Sequence, residues 1–332
     1  RELFAQMADK FDAVTVSTPD HHHFPAAMMA VQRGKHVYVE KPLTHTVGEA
    51  RALRAAVKKH GVISQMGNQG RATEGIRLMK EWIEAGVAGD VREVVAWSPT
   101  FSDHYFLRPN ALPLPAQTPP ATLNWDLWLG PAEARPYHET IAPVRWRGWW
   151  NFGNGMLGDW ACHTLDAPFW ALGLGSPSSV DIEVSEANPE IAPLWAEVTY
   201  KFPARGNLPP VTLKWLEGEA RRPKAPAGWS DDKKKSGFPA RGMMMVGSKQ
   251  TIFAPGGRPD SPRLLVDSAW EEFKQNRPPA RLPRVVGGPM KEWLDAIAKV
   301  GPLPGSNFEY SVPLSDAIFS GPPLSVPPSP PG

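Results

Sequence analysis

Over the first ninety residues, short β-branched runs alternate with segments whose apolar residues recur at helical spacing. Ala13-Val-Thr-Val16 is a run of the first kind and stops at Ser17-Thr18-Pro19. Pro25 to Arg33 then carries small and apolar residues at helical spacing and closes on Gly34, a residue that ends helices by entering left-handed backbone. The same order recurs twice. His36 to Val39 is a second strand, Thr46 to His60 a helix with Ala50, Leu53, Ala56 and Val57 on one face, and Gly61 its stop. Val62 to Met66 is a third strand, followed by the loop Gly67-Asn68-Gln69-Gly70 and a helix from Ala72 to Ala85 that ends at Gly86. Strands separated by helices of this length pair in parallel through right-handed crossovers. Ligands of such sheets lie outside the carboxyl ends of the strands.

From Asp90 the pattern changes. Val91 to Trp97, Ser179 to Ser185, Ala196 to Phe202, Val211 to Leu216 and a hairpin from Met243 to Phe253 alternate or run β-branched, with helices only near 155–173 and 288–299. The expectation is a mostly antiparallel sheet with helices on one face. The long Pro-rich connection from Thr100 to Pro143 is expected to fold back over the crevice as a lid.

Composition changes this picture little. With 332 residues, 42% hydrophobic and 21% charged, the chain can build two ordinary cores. Its formal charge is +2, and the one dense basic run, Lys233 to Lys235, follows Asp231 and Asp232 in a Gly/Pro/Ser-rich stretch that reads as a solvated loop, not a nucleic-acid contact. No apolar run reaches the ~18 residues of a membrane span. Cys162 is the single cysteine, which excludes an internal disulfide framework. The 38 prolines mark long connections, and six of them fall in the last twelve positions.

Three strand ends are polar: Ser17-Thr18-Pro19-Asp20, Glu40-Lys41-Pro42 and Gln65-Met66-Gly67-Asn68-Gln69. They fall side by side along one edge of the expected sheet. A residue before proline is kept out of the helical region, so Lys41 stays extended and aims its amine past the strand end. Taken alone, Glu40 and Lys41 fit a strand-end ion pair equally well. However, Ser-Thr-Pro-Asp-His-His-His (17 to 23), Gly-Lys-His-Val-Tyr-Val-Glu-Lys-Pro (34 to 42) and Met-Gly-Asn-Gln-Gly (66 to 70) together resemble the nucleotide-binding domain of the Gfo/Idh/MocA oxidoreductases. Trp125-Asp-Leu-Trp-Leu-Gly-Pro131, Trp146-Arg-Gly-Trp-Trp150 and Gly158-Asp-Trp-Ala-Cys-His163 resemble the bacterial branch of that family with sugar-type substrates.

The resemblance implies an α/β protein in which a partial NAD(P)-binding Rossmann domain, 1–89, precedes an α+β substrate-binding and oligomerisation domain, 90–320, and a Pro-rich disordered tail, 321–332. The family opens with a strand and a glycine-rich turn for the pyrophosphate, which do not precede Ala13 here. The chain is therefore expected to be a fragment carrying the nicotinamide-side half of a doubly wound sheet, and its Pro-rich end to depart from the family's closing segment.

Asp159 and His163 are four apart on an expected helix and share a face. Imidazole suits proton transfer from a hydroxyl near neutrality, although the pair alone also fits a first-turn Asp serving the helix dipole and a core histidine. By resemblance, His163 is the base, Asp159 its partner, and Lys41 the donor that polarises the reacting oxygen. The resemblance also gathers Ser17, Thr18, Pro19, Asp20, His23, Glu40, Lys41, Pro42, Asn68 and Gln69 around the nicotinamide side of NAD or NADP, with Asp20 where relatives commonly carry Asn. Asn68 and Gln69 serve equally well as turn residues. Trp146, Arg147, Trp149 and Trp150 are expected to meet substrate, because flat aromatic faces beside hydrogen-bond donors suit a sugar ring.

Two motifs are set aside. His21, His22 and His23 are consecutive and cannot all face one ion from regular backbone, so no metal is expected. Gly153-Asn-Gly155-Met-Leu-Gly158 spells G-x-G-x-x-G with Asp181 downstream, but no β-branched strand precedes it, and it reads as the opening of a helix close against substrate. The implied activity is hydride transfer between NAD(P) and a hydroxyl carbon of a sugar or polyol. The implied assembly is a homo-oligomer joined through the open sheet face, with neither nucleic acid nor membrane as partner. Glycosidic cleavage by oxidation and elimination on bound NAD, and an inactive fragment, remain alternatives.

Overall fold

A computed structural model describes residues 2–226, 229 and 238–320; the basic run at Lys233 and the Pro-rich segment 321–332 lie outside the described residues. After a short helix, α1 (Glu2–Met7), strands β1 (Ala13–Val16), β2 (His36–Glu40) and β3 (Ser64–Gly67) form a parallel sheet in the order β1-β2-β3. The register aligns Val16 with Val39 and Val39 with Met66, so the three polar strand ends emerge together. Central β2 is covered on both faces, which is why Val37, Tyr38 and Val39 are all buried without alternation. The outer edge of β3 is closed by the returning chain, where Ser306 O accepts from Met66 N at 2.9 Å.

The crossovers are α2 (Asp20–Val31) and α3 (Val47–His60), and α4 (Glu74–Glu84) follows β3. Thr46 and Glu49 form a reciprocal capping box at the start of α3, and Gly61 at φ +64° ends it, its N–H bonded to Val57 O. By contrast, α2 starts at Asp20 and not at Pro25. His22 N already bonds Pro19 O at 2.9 Å, and the polar first turn is held by tertiary contacts of its histidines, which no periodicity reveals.

The second sheet has seven strands in the order β10-β9-β8-β4-β7-β6-β5. They are β4 (Val91–Ser98), β5 (Ser179–Val184), β6 (Ala196–Phe202), β7 (Val211–Glu217), β8 (Gly242–Gly247), β9 (Thr251–Pro255) and β10 (Arg263–Leu264). All pairs are antiparallel except β4 with β7. One face of this sheet, through Val198, Tyr200, Leu213 and Trp215, shares a continuous apolar core with α6 (Gly155–Thr164), α7 (Asp166–Ala171) and the first sheet. Between β4 and α6, the Pro-rich connection carries one short α-helix, α5 (Trp125–Leu129), and a 3-10 turn, Arg145–Gly148, and builds its own core from Phe106, Leu129, Tyr137, Ile141, Trp149 and Phe152. It docks on α2, since Nε2 of both His21 and His22 lies 3.0 and 2.8 Å from Trp128 O.

Among the described residues three helices follow β10: α8 (Asp267–Gln275), α9 (Gly288–Ile297) and α10 (Phe308–Phe319). The pattern did not reveal α10, whose period is broken by Pro313. Tertiary packing on α3 and α6 stabilises it instead, with ion pairs Arg51–Asp316 and Arg54–Glu309 along the seam to α3.

Candidate active site

Beyond the end of β2, Lys41 extends toward α6. Its Nζ donates to Asp159 Oδ1 at 2.5 Å and to Asp159 O at 2.7 Å, with only 17% and 11% of the two side chains exposed. Glu40 is therefore not its partner. The Glu40 carboxylate accepts from Gln69 Nε2 at 3.1 Å and presses on Gly67, where a Cβ would come within 2.5 Å of Glu40 Oε2. Gln69 in turn accepts from Arg258 Nη2 at 3.2 Å, linking the third strand end to the loop after β9.

His163 lies one turn along α6 from Asp159 and is 2% exposed. Burial first, then the charges of Lys41 and Arg258, hold its pKa well below the ordinary value, so the ring is a neutral base. Its Nδ1 is buried and has no hydrogen-bond partner. This corrects the expectation that Asp159 orients the ring. Asp159 Oδ1 is taken by the Lys41 ammonium and by Arg147 Nε at 3.5 Å, because two cations outcompete a neutral imidazole for a carboxylate.

Asp20 belongs to the same cluster. It is 4% exposed, accepts from Asn154 Nδ2 at 3.3 Å, and feels the charges of Asp159, Lys41 and Arg147. Burial and the neighbouring Asp159 carboxylate push its pKa up to about 8, so it is held protonated at neutral pH. His23 bridges two strand ends, its ring nitrogens 2.8 Å from Thr18 O and 2.7 Å from Pro42 O. Ser17 and Thr18 are exposed on the open edge, beside half-buried Pro19.

Other expected site residues fall elsewhere. Asn68 is 1% exposed and donates to Asp166 Oδ2 at 2.9 Å, in a buried polar group with Arg71 and Tyr310. It is a turn and packing residue, whereas Gln69 faces the site edge. Trp149 is 0% exposed with its Nε1 bound to Thr140 O at 2.8 Å, which corrects its assignment to substrate: it has no free face. Trp146 is mostly buried, with the Arg147 guanidinium 4.4 Å over its ring. Trp150 lines a cavity of about 540 Å³ with Met156, Leu157, Val198 and Glu217, and Asn154 borders it too. The glycine motif at 153–158 opens α6, with Gly155 at φ +65°. Among the described residues, no group of His, Cys, Asp or Glu is arranged to hold a metal ion.

Sequence reasoning missed Arg241, at the foot of β8. Its guanidinium lies 3.8 Å over the Trp160 ring and its Nε donates to Ser98 Oγ at 3.0 Å. Arg258 and Asn154 were missed likewise. No spacing links any of them to Asp159.

The carboxyl edge of the parallel sheet thus meets α6 through Lys41 and Asp159, with His163 one turn further along that helix. Residues 1–68 match the model of the oxidoreductase family's NAD-binding Rossmann fold, and residues 73–221 match that of its C-terminal alpha/beta domain. The chain belongs to the Gfo/Idh/MocA oxidoreductase family. It is 28% identical over 160 residues to a levoglucosan dehydrogenase of Pseudarthrobacter phenanthrenivorans, covering 48% of this chain and 33% of that protein. Over 78 residues it is 38% identical to a scyllo-inositol 2-dehydrogenase (NAD(+)) of Bacillus subtilis, covering 24% of this chain and 23% of the relative. The matched segments thus span a third or less of these relatives' own lengths. The fold is shared with the WlbA dehydrogenase of Bordetella pertussis solved with NADH and UDP-GlcNAcA, at 16% identity and TM-score 0.60 over 96% of this chain and 78% of that one. A levoglucosan dehydrogenase solved with NADH and L-sorbose also has TM-score 0.60, at 18% identity over 96% of this chain and 79% of that one.

Proposed function

We propose that this site transfers a hydride between NAD(P) and a hydroxyl carbon of a sugar or polyol. The observation that carries the reading is the 2.5 Å contact from Lys41 Nζ to Asp159 Oδ1, made across 118 residues of sequence, with neutral His163 one turn further on. Relatives named for levoglucosan and scyllo-inositol support a cyclic polyhydroxylated substrate.

The residues fit the nicotinamide end of the cofactor. Ser17 and Thr18 are exposed on the carboxyl edge, and the Nδ1 of His163 is a buried polar atom without a partner. A bound oxidised nicotinamide supplies the hydride acceptor. Lys41 donates a hydrogen bond to the substrate hydroxyl oxygen and stabilises the negative charge that builds there as its proton departs. The His163 ring takes that proton, which it can do because burial and nearby cations keep it neutral. Asp159 holds the ammonium of Lys41 in place through both its carboxylate and its backbone carbonyl. In the reducing direction the same groups return the proton to the oxygen.

Absorbance of reduced nicotinamide, followed with NAD and NADP against a panel that includes levoglucosan and scyllo-inositol, tests the reading. Lys41→Ala and His163→Ala should each lower kcat by roughly 10²–10⁴-fold with unchanged circular dichroism. Turnover unaffected by either change removes that residue from the mechanism. No turnover and no saturable NADH binding across the panel overturn the reading itself.

A further inference from the structure

Cationic side chains outnumber carboxyl groups around Asp159. Lys41 and Arg147 both reach its Oδ1, Arg241 lies near enough to feel its charge, and Arg258 stands at the edge beside Gln69. Against them stand Asp159 itself and Glu40, whose carboxylate is already engaged by Gln69. Asp20, the third carboxyl of the cluster, is protonated at neutral pH.

Arg241, unlike Lys41 and Arg147, does not reach the Asp159 carboxylate. It is half-buried, and among the described residues no carboxylate lies within ion-pair distance of it. A guanidinium has five N–H donors, and among the described residues only Nε has a protein acceptor, Ser98 Oγ at 3.0 Å. The guanidinium is stacked 3.8 Å over Trp160, so its rotamer is held and its Nη edge is pre-set. Trp160 also has the Lys41 ammonium 5.9 Å from its ring centre and the His163 ring at 5.7 Å between centroids. One indole therefore borders both the reacting pair and the open guanidinium fork.

We propose that the substrate of this site is a sugar acid, whose carboxylate is received by the Nη fork of Arg241 while Lys41 and His163 meet the hydroxyl at the reacting carbon. The inference rests on the oxidoreductase reading of the same site. A planar carboxylate matches a stacked guanidinium in bidentate fashion and supplies the missing counter-charge. A neutral sugar leaves these half-buried donors short of acceptors, a cost of about 1.5–3 kcal/mol, or roughly 10–150-fold in affinity. A phosphate shares the anionic chemistry, and the test separates the two sources.

Calorimetric titration of the full chain with D-glucuronate, D-glucose and inorganic phosphate reads the inference without requiring turnover. D-glucuronate should bind at least roughly tenfold more tightly than D-glucose. Arg241→Gln should erase that ratio, and Arg241→Lys should restore little of it, while the ligand-free melting temperature of both variants stays near that of the parent. Equal affinity for D-glucose and D-glucuronate overturns the inference, as does a preference that survives in Arg241→Gln. Phosphate binding as tightly as D-glucuronate overturns it in favour of a phosphate site. If the parent reduces NAD or NADP with neutral sugars but shows no carboxylate preference, the oxidoreductase reading stands and this inference falls. Carboxylate-selective binding with neither nicotinamide reduction nor saturable NADH binding supports the anion site and overturns the redox reading instead.

Discussion

Asp20→Asn changes one atom of a side chain that is 4% exposed among Asp159, Lys41, Arg147 and the Asn154 amide, and it removes that side chain's ionisation. In the folded protein, burial first and the Asp159 charge second raise the Asp20 pKa from 3.8 to about 8, against the opposing pull of Lys41 and Arg147. The unfolded chain gives up this proton near the ordinary carboxyl value, so between the two values the folded state binds more protons. For an acid with a raised folded pKa, stability is fully present below the unfolded value and is lost as pH rises toward the folded one. Each pH unit in that window costs about 1.4 kcal/mol. From about pH 5 to about pH 8, the parent should lose about 4 kcal/mol relative to Asp20→Asn, less whatever local relaxation and water entry recover. Urea denaturation of both proteins at several pH values measures this difference directly. Glu217, pushed up to about 7 by burial, titrates in both proteins and cancels. A stability difference that stays constant across the window would refute a protonated Asp20 in the cluster.

Three further outcomes follow from single contacts. Glu81, 3% exposed, accepts from Arg284 at 2.6 Å and from the backbone N–H groups of Arg281 and Leu282 at 2.7 Å each, which lowers its pKa to about 2. Glu81→Gln should cost about 2–4 kcal/mol at neutral pH. The penalty should shrink as pH falls from about 4 toward about 2, where the parent's carboxylate itself protonates; denaturation at two pH values checks it. Gly67→Ala places a methyl within 2.5 Å of Glu40 Oε2 and should destabilise by about 1–3 kcal/mol in chemical denaturation, unless Glu40 and Gln69 move aside. Trp149→Ala should cost about 3–5 kcal/mol while leaving sugar affinity of the folded protein unchanged in calorimetry, because the indole is wholly internal.

Much of the fold was legible because its signals are local. Ala196–Phe202 alternates with period two and is a strand with those same ends. Gly34, Gly61 and Gly86, read as stops, sit at φ +71°, +64° and +72°. Parallel pairing of the first strands followed from the crossover helices alone. The start of α2 and the whole of α10 were not legible, because a polar turn and a proline-broken period carry weak local preference and are held by partners distant in sequence.

The site divides along the same line. Residue order alone placed Lys41 at a strand tip and Asp159 and His163 on one helical face, since backbone restriction before proline and the helical repeat are properties of a few neighbouring residues. Only the tertiary structure decided that Asp159 bonds Lys41 and not the His163 ring, that Asp20 is held protonated, that Asn68 and Trp149 are internal, and that Arg241 enters the site from β8. The reason is physical: charge pairing and desolvation depend on distance through space between segments that the chain separates by up to a hundred residues or more, and no pattern within a segment records those distances.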